Sequence, residues 1–441
     1  MTGRIEASST SAEAAAATAR GGAVVDRPAT PGQPVMRWSS RARSIPDIQA
    51  ELARIWSIPK LTATVDGVEE RHVAARTSVM NLVVIARRPE LGERCASIVS
   101  QLTGRHPSRT LVVSSADPDG PNWLDAQVQA NCMLPREDAP EVCAELIYLT
   151  AGGESGRHLA GIVAPLIVHD LPLVLWWPGE PPFGAAPAHD LLGLTDRLIV
   201  DGSTWSGDGL ARLGQMAALL DRFELAISDF ALVRQSRWRE AIASVFDMPE
   251  CLPYLRSLRR ISVTYAAHDG SAEPGSTNVV KPVYHVAWLG SRLGMTVDRA
   301  LHPAAPPHPV GRGSARPGST TIGRGLTAAL RSATGEVSVV VRPILSAMPS
   351  GTTLRVELLA ARRGSEFRAD VTAEAEVVNV RAWQDGVELL ARSFLAPRRM
   401  EVDLLAEAIE AGGRDPVTTG VIRFAAELIG SPGSADEKRS A

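Results

Sequence analysis

The residues of this sequence that could perform chemistry form no recognised catalytic motif. Neither the P-loop pattern G-x-x-x-x-G-K-[ST] nor the nucleophile elbow G-x-S-x-G occurs. Two Gly-rich segments, at 207–214 and 311–318, lack the G-x-G-x-x-G spacing of dinucleotide-binding loops. The nine histidines include no H-x-H or H-x-x-x-H pair, so no single element offers two metal ligands. We therefore predict no catalytic residues, no cofactor and no bound metal.

A loop around His106 is the first candidate for contact with a partner. The segment GRHPSRT enters an apolar run that predicts a buried strand over 109–114. Loop residues beside a buried strand can face a cleft or a partner, which makes His106 and Arg109 the candidate contact residues. The favoured interpretation is that Pro107 sets the turn and that both side chains bind backbone carbonyl groups.

A second candidate loop lies in the segment DLPLVLWWPGEPPFG at 170–184, where a predicted buried strand ends in two tryptophans. Ligands and partners of open α/β sheets gather at the carboxyl ends of the strands. Side chains alternate along a strand, so Trp176 and Trp177 face opposite sides. Either both pack under helices, or one of them anchors a protein partner. The candidate contact residues of this loop are Trp176, Trp177, Pro178, Glu180 and Phe183.

The alternative function is that of an enzyme, or of a protein that binds a sugar phosphate or a nucleotide. Its site would be a cleft of the α/β region lined by Arg109 and Arg157. Arg157 begins the helix predicted after GGESG, where the N–H groups of the helix could also receive an anion.

Cysteine usage and hydropathy predict a cytoplasmic protein without a membrane segment. Four cysteines are too few for a disulfide scaffold. Cys132 and Cys143 flank the turn PREDAP of a predicted hairpin; a redox pair is conceivable, but two packed thiols are favoured. The first 35 residues lack the apolar core of a signal peptide. The most apolar stretch, at 161–177, is interrupted by prolines and is shorter than the ~20 residues of a membrane span.

Length and charge narrow the function classes further. A chain of 441 residues with 45% apolar and 22% charged residues predicts two or three globular domains. The net charge of −3 argues against a general nucleic-acid-binding surface, which would show a basic excess.

The elements that must position these residues change character along the chain. Apolar runs alternate with helical patterns over 36–298, which predicts an α/β domain with a mostly parallel sheet and helices on both faces. Within it, residues 223–245 form one helical stripe. Alternation at Val337, Val339 and Val341 then predicts a smaller α+β domain with an antiparallel sheet. The predicted organisation is a disordered tail over 1–35, the α/β domain over 36–298, a Pro/Gly-rich linker over 299–325, the α+β domain over 326–430, and a disordered tail over 431–441.

Five motifs carry a resemblance to a known family. They are RTSVMNLVV, HPSRTLVV, LAGIVAPLIVHDLPLVLWWPGEPP, DFALVRQSRWREAIASVFD and VYHVAWLGSRLGM, in this order over roughly 76–295. The sequence resembles the OpcA family of glucose-6-phosphate dehydrogenase assembly proteins. The resemblance implies a non-enzymatic protein of the bacterial cytoplasm that binds glucose-6-phosphate dehydrogenase and favours its active oligomer. It would thereby support the oxidative pentose phosphate pathway and NADPH supply. No cysteine motif here matches the redox control associated with some members.

Overall fold

The computed structural model describes most of the chain, which divides into two compact units. The described residues are 23–24, 32–57, 63–65, 68–70, 75–76, 78–117, 119–136, 142–268, 275–304, 324–374 and 376–430. The first unit comprises Met1–Trp176 and Ala186–Thr195, and the second comprises Trp177–Ala185 and Asp196–Ala441. The tail predicted over 431–441, most of the tail over 1–35 and most of the linker over 299–325 lie outside the described residues.

The first unit is built on a sheet whose core is parallel. Its strands are β1 (Ala23–Val24), β2 (Pro34–Ala42), β3 (Ala63–Val65), β4 (Val68–Glu70), β5 (Ala75–Arg76), β6 (Met80–Ala86), β7 (Ser108–Ser115), β8 (Trp123–Met133), β9 (Val142–Gly152) and β10 (Leu173–Trp177). The order in this unit is β1-β2-β8-β9-β7-β6-β10. Strands β9, β7, β6 and β10 are parallel neighbours, whereas β8, β2 and β1 extend the sheet by antiparallel pairing. The short β5 pairs with β9, and β3 and β4 form a separate hairpin.

Helices of the first unit follow the apolar periodicity of the sequence. They are α1 (Ile45–Ser57), α2 (Pro89–Ser100), α3 (Gly153–Arg157), α4 (Leu159–Val163) and α5 (Ala186–Leu192). Proline fits the first turn of α2, because the N–H groups there need no partner within the helix. Cys95 and Val99, four residues apart, lie on the buried face of α2, which contacts β6, β7 and β9.

Asn81 fixes the chain that leads into β10. It lies in β6, all of whose residues are buried, so its amide needs partners inside the protein. Its Oδ1 accepts from the backbone N–H of Val168 at 2.8 Å, and its Nδ2 donates to the carbonyls of Val168 and Leu171 at 2.9 and 3.0 Å. The turn before β10 is therefore held to the centre of the sheet.

The second unit contains a parallel strand pair and a large sheet. The pair is β11 (Arg197–Val200) and β12 (Ala226–Asp229). The remaining strands are β13 (Leu258–Ala267), β14 (Thr296–Pro303), β15 (Leu326–Ser332), β16 (Gly335–Leu345), β17 (Thr353–Arg362), β18 (Ser365–Glu374), β19 (Val377–Gln384) and β20 (Val387–Leu395). They are ordered β14-β15-β16-β13-β17-β18-β19-β20, and every pairing is antiparallel except β13 with β16.

The helices of the second unit are short to medium in length. They are α6 (Leu210–Arg222), α7 (Phe230–Val233), α8 (Ser236–Val245), α9 (Val280–Arg292), α10 (Glu401–Glu410) and α11 (Pro416–Leu428), with 3₁₀ turns at Gly202–Thr204 and Leu252–Ser257. Asp415 caps α11 by accepting from the backbone N–H groups of Val417 and Thr418. No helix in the described part of the chain is long and apolar enough to cross a membrane.

The coarse architecture agrees with the prediction. Two sheet-containing α/β regions are present, the N-terminal sheet mostly parallel and the C-terminal sheet mostly antiparallel. The alternation at Val337, Val339 and Val341 reflects burial of one face of β16. Strand β13 was not predicted; it lies before the interval at 299–325, yet it pairs centrally in the C-terminal sheet.

Two local predictions are wrong. Residues 223–245 do not form one helical stripe, because β12 and the break between α7 and α8 divide them. Cys132 and Cys143 are not packed thiols; they form a buried disulfide with a Cα–Cα distance of 4.0 Å. The register of the β8–β9 hairpin places the two residues directly opposite each other, which permits the bond.

Close packing of α9 against α11 predicts the effect of one added methyl group. A Cβ at Gly290 would overlap the ring of Phe424, so we expect Gly290→Ala to destabilise the protein by about 1–3 kcal/mol. Urea unfolding followed by tryptophan fluorescence measures this change. Gly161→Ala is the matched control, since its Cβ would meet no atom within 4 Å and should be neutral or stabilising. Equal effects of the two substitutions would contradict the packing argument.

Candidate functional site

The guanidinium of Arg109 is engaged inside the first unit. Its Nε donates to Oε2 of Glu145 at 2.5 Å, and one terminal nitrogen donates to the carbonyl of Leu166 at 3.1 Å. The other oxygen of Glu145 accepts from the indole of Trp56 at 2.5 Å. Glu145 is fully buried, so this ion pair is structural and Arg109 is poorly placed to meet a partner. His106, at the end of the preceding loop, is half-buried.

The three aromatic candidates of the second loop are buried. Trp176 and Trp177 end β10 inside the protein, and Phe183 is 2% exposed. The interpretation of a tryptophan as a surface anchor is therefore wrong for this conformation, because an anchor must be accessible to its partner. Pro178 and Glu180 are half-buried and remain the accessible candidates of this loop.

Side-chain contacts hold the 177–185 loop in the second unit. Glu180 accepts from the backbone N–H of Ser206, and its other oxygen lies 3.7 Å from Arg212. Arg212 also donates to the carbonyl of Pro181 at 2.7 Å. Phe183 meets Trp205 edge to face, with ring centroids 6.2 Å apart. The loop is thus fixed to α6 and to the segment that precedes it.

The cleft proposed around Arg109 and Arg157 receives no support from the geometry. Arg157 ends α3 rather than beginning a helix, so it does not mark an N-terminal anion site. Its guanidinium pairs with Asp119 and lies 3.9 Å from Glu154. Arg109 and Arg157 therefore each have a carboxylate of their own.

A buried carboxyl cluster, which the sequence analysis missed, lies at the carboxyl ends of β11 and β12. Asp229 ends β12 and is fully buried. Its Oδ1 accepts from the N–H groups of Gly202 and Ala231 at 2.9 and 2.8 Å, and its Oδ2 accepts from the hydroxyl of Tyr284 at 2.7 Å. A Cβ at Gly202 would lie 2.6 Å from Oδ2, so this position requires glycine. The available signal was an aspartate at the end of each of two short apolar runs.

Asp201 forms the second half of the cluster. Its two carboxylate oxygens accept from one terminal nitrogen of Arg234 at 2.8 and 2.7 Å, and the hydroxyl of Ser203 donates to it at 2.6 Å. The amide of Asn278 donates to the carbonyls of Gly202 and Trp205 at 2.8 and 3.0 Å. These hydrogen bonds join the end of β11 to Arg234 and to Asn278, so the side chains of the cluster hold neighbouring segments in position.

Burial dominates the electrostatics of the cluster. It raises the pKa of Asp229 to about 6, with a further contribution from the charge of Asp201. It also raises the pKa of Tyr284 well above its usual range and lowers the pKa of His285 to about 3. Among the described residues, no three His, Cys, Asp or Glu side chains are grouped to hold a metal ion.

The raised pKa of Asp229 predicts a pH-dependent stability. Protonation of Asp229 stabilises the fold at low pH, and this contribution is lost as the pH rises through about 6. Asparagine cannot ionise, and its Oδ1 still accepts both backbone N–H groups. As the pH is raised from 4 to 8, the free energy of unfolding of Asp229→Asn should increase relative to that of the parent by on the order of 3 kcal/mol. Urea unfolding at each pH measures the difference, and the contribution of His285 cancels because both proteins contain it.

Asp385→Asn is the matched control for this titration. Asp385 is exposed, and hydrogen bonds led by that from Ser365 lower its pKa, so its contribution changes only as the pH falls into the acid range. The stability difference from the parent should then be flat between pH 5 and 8. The same slope in both variants would show that Asp229 is not the titrating group.

Two protein-family models match the chain in succession. Residues 99–218 match the N-terminal domain of the glucose-6-phosphate dehydrogenase subunit, and residues 225–419 match its C-terminal domain. Curated relatives are the OxPP cycle proteins OpcA of Synechocystis sp. (28% identical over 204 residues, 46% of this chain) and Nostoc punctiforme (24% over 201 residues, 44% of this chain). Each match spans 40% of the relative's length.

Solved structures give a weaker similarity. An NAD-binding oxidoreductase from Klebsiella pneumoniae is 10% identical, with a TM-score of 0.45, over 80% of this chain and 97% of that one. A 3-ketoreductase from Actinomadura kijaniata is 12% identical, with a TM-score of 0.40, over 80% and 96%. Similarity at this level says nothing about cofactor or activity. The two family models, however, together cover well over half of the chain, which therefore belongs to the OpcA family of glucose-6-phosphate dehydrogenase assembly proteins.

Proposed function

We propose that the chain is a non-enzymatic assembly factor and allosteric activator of glucose-6-phosphate dehydrogenase. It binds the enzyme in the cytoplasm, favours its active oligomer and so supports the oxidative pentose phosphate pathway and NADPH supply. The observation that carries this proposal is the match of both halves of the chain to the two domains described for the glucose-6-phosphate dehydrogenase subunit. The lack of a P-loop or nucleophile-elbow motif in the sequence is consistent with a role in binding rather than in chemistry.

Activation of this kind requires differential binding. A protein that binds two states of the enzyme equally well shifts neither, however tightly it binds. A tenfold shift between oligomeric states requires about 1.4 kcal/mol of preference for the active one. The contact surface must therefore be sufficiently rigid to distinguish two arrangements of the enzyme.

The 177–185 loop offers such a surface. Its fixation by Glu180, Arg212 and the Phe183–Trp205 contact reduces the conformational entropy that binding would otherwise lose. We assign contact with the enzyme to His106, Pro178 and Glu180. The remaining candidate residues do not contact the enzyme themselves but position the two loops; they are Arg109, Trp176, Trp177 and Phe183.

The first test combines the purified chain with glucose-6-phosphate dehydrogenase of the same organism at equimolar concentration. We expect a lower KM or a higher kcat, together with elution of a larger complex in size-exclusion chromatography. These two readouts separate activation from simple association, because a structural scaffold would co-elute without changing the kinetics. Unchanged kinetics without co-elution would reject the proposed function.

The second test addresses the contact residues. His106→Ala and Pro178→Arg should each raise the concentration of the chain needed for half-maximal activation by about threefold to tenfold, because each alters one accessible contact. His158→Ala is the matched control, since this exposed histidine bonds Glu154 and belongs to neither loop. If both loop variants activate as well as the control, the contact assignment is wrong, while the activating function itself is unaffected.

A further inference from the structure

A cavity of about 350 Å³ lies in the second unit, over strand β12. The strand supplies Ser228 and Asp229 to its wall, α8 supplies Arg239, and α10 supplies Glu407. The chain between α10 and α11 closes one side with Gly412 and Gly413. Its volume is at the lower end of the ~300–1,000 Å³ typical of ligand sites, so it suits one small molecule rather than a dinucleotide.

The cavity has a buried polar floor and an exposed rim. Arg197, which begins β11, is 8% exposed, and Ser228 and Asp229 beside it are also buried. Glu407 and Asp415, which also line the cavity, are exposed. A ligand entering from solvent would therefore pass carboxylates at the rim before it reaches a guanidinium on the floor.

Arg197 is a buried cation without a carboxylate partner in the described part of the chain. It donates to the hydroxyl of Ser228 at 3.1 Å and to the carbonyls of Gly412 and Gly413 at 2.7 and 3.4 Å, and it also bonds the carbonyl of Ala411. Burial lowers its pKa, and no acidic group among the described residues opposes that effect. Within the described residues these neutral acceptors engage Nη2 and one hydrogen of Nη1, which leaves Nε and the second Nη1 hydrogen as donors and the charge uncompensated. An anion in the cavity would supply the compensation.

Arg239 contributes a second guanidinium with donors to spare. Within the described residues it makes one hydrogen bond, to the carbonyl of Leu232 at 2.7 Å, although a guanidinium carries five N–H donors. Burial lowers the pKa of Arg239, and the charges of Glu407, Asp415 and Glu240 oppose that effect, but within the described residues none of these carboxylates is hydrogen-bonded to Arg239. Glu407 pairs with Arg399, and Asp415 accepts from the N–H of Thr418 at 2.9 Å and from its hydroxyl at 2.6 Å.

We propose that this cavity binds a small phosphorylated hydroxy compound, of which a sugar phosphate is representative. The guanidiniums of Arg197 and Arg239 bind the phosphate, because a planar fork of N–H donors matches phosphate oxygens. The carboxylates of Glu407 and Asp415 accept from ligand hydroxyls, and the hydroxyls of Ser228 and Thr418 complete the polar lining. The same carboxylates repel a ligand that is anionic throughout, such as a polyphosphate.

This inference is independent of the proposed function, because it rests on the lining of a single cavity. Its test uses the full-length chain without any partner enzyme. Isothermal titration with glucose 6-phosphate, glycerol 3-phosphate, inorganic phosphate and glucose separates the phosphate contribution from the hydroxyl contribution. We expect at least one of the two phosphate esters to bind at least ~10-fold more tightly than inorganic phosphate. Glucose should give no measurable binding and should not compete with the phosphate ester.

Two variants locate the binding in the cavity. Arg239→Gln removes one guanidinium, and Ala411→Phe places a ring at the exposed rim; each should weaken binding of the ester by at least ~10-fold. Arg237→Gln is the matched control, because Arg237 lies on the same helix but pairs with Glu240 outside the cavity. Thermal unfolding of each variant verifies folding, and Ala411→Phe retains every charge if Arg239→Gln proves unstable.

Three results would overturn the proposal. The first is the absence of heat for both phosphate esters with the folded parent protein. The second is binding that survives unchanged in Ala411→Phe and in Arg239→Gln, which would place the ligand elsewhere. The third is equal affinity for glucose and glucose 6-phosphate, which would remove the role of the guanidiniums.

Discussion

The carboxyl group of Asp229 is the constraint on which the second unit depends. Its two oxygens accept hydrogen bonds from the end of β11, from the start of α7 and from α9. Three elements distant in sequence therefore meet at one buried carboxyl group, which forms no ion pair with a cation in the described part of the chain. The requirement for glycine at 202 follows from the same approach. Asp229 itself lines the cavity. The segment that follows Gly202 includes Ser206, which bonds to the 177–185 loop.

The predicted parts of the fold are those whose signals are local in sequence. Largely apolar runs predicted β6 and β10, because all of the residues in these two strands are buried. Strand β12 was missed because it has only four residues, and the apolar spacing around it also fits a helix. Strand β13 was missed because its first residues include Arg259 and Arg260, which obscure the alternation of Ile261, Val263 and Tyr265. Its position in the centre of the C-terminal sheet is set by pairing with β16 and β17, which no local pattern encodes.

The candidate sites were harder to predict than the strands, because their properties depend on contacts with residues distant in sequence. Residue type identified Arg109 as capable of binding an anion, but its partner Glu145 lies 36 positions away and already supplies one. Residue type equally marked two tryptophans as interface residues, whereas a buried strand needs large apolar side chains for its own packing. Conversely, no sequence pattern distinguishes Arg197 and Arg239, because their significance lies in the cavity that they line together and, for Arg197, in the lack of a carboxylate partner among the described residues. Chemistry that arises from an unmet charge is visible only once the surroundings are known.

The disulfide between Cys132 and Cys143 has a consequence for how the first unit comes apart. Strand β9 lies between the parallel neighbour β7 and the antiparallel neighbour β8, so the bond joins the two differently paired halves of the sheet. Without it, β1, β2 and β8 could detach from β9 as a subglobal opening while the parallel core persisted. With it, the turn end of the β8–β9 hairpin stays joined to the core strand, whereas the other end, at Trp123 and Gly152, is not cross-linked. The outer strands would then open from that far end, and the amides beside the disulfide would be the last of the β8–β9 pair to exchange with solvent.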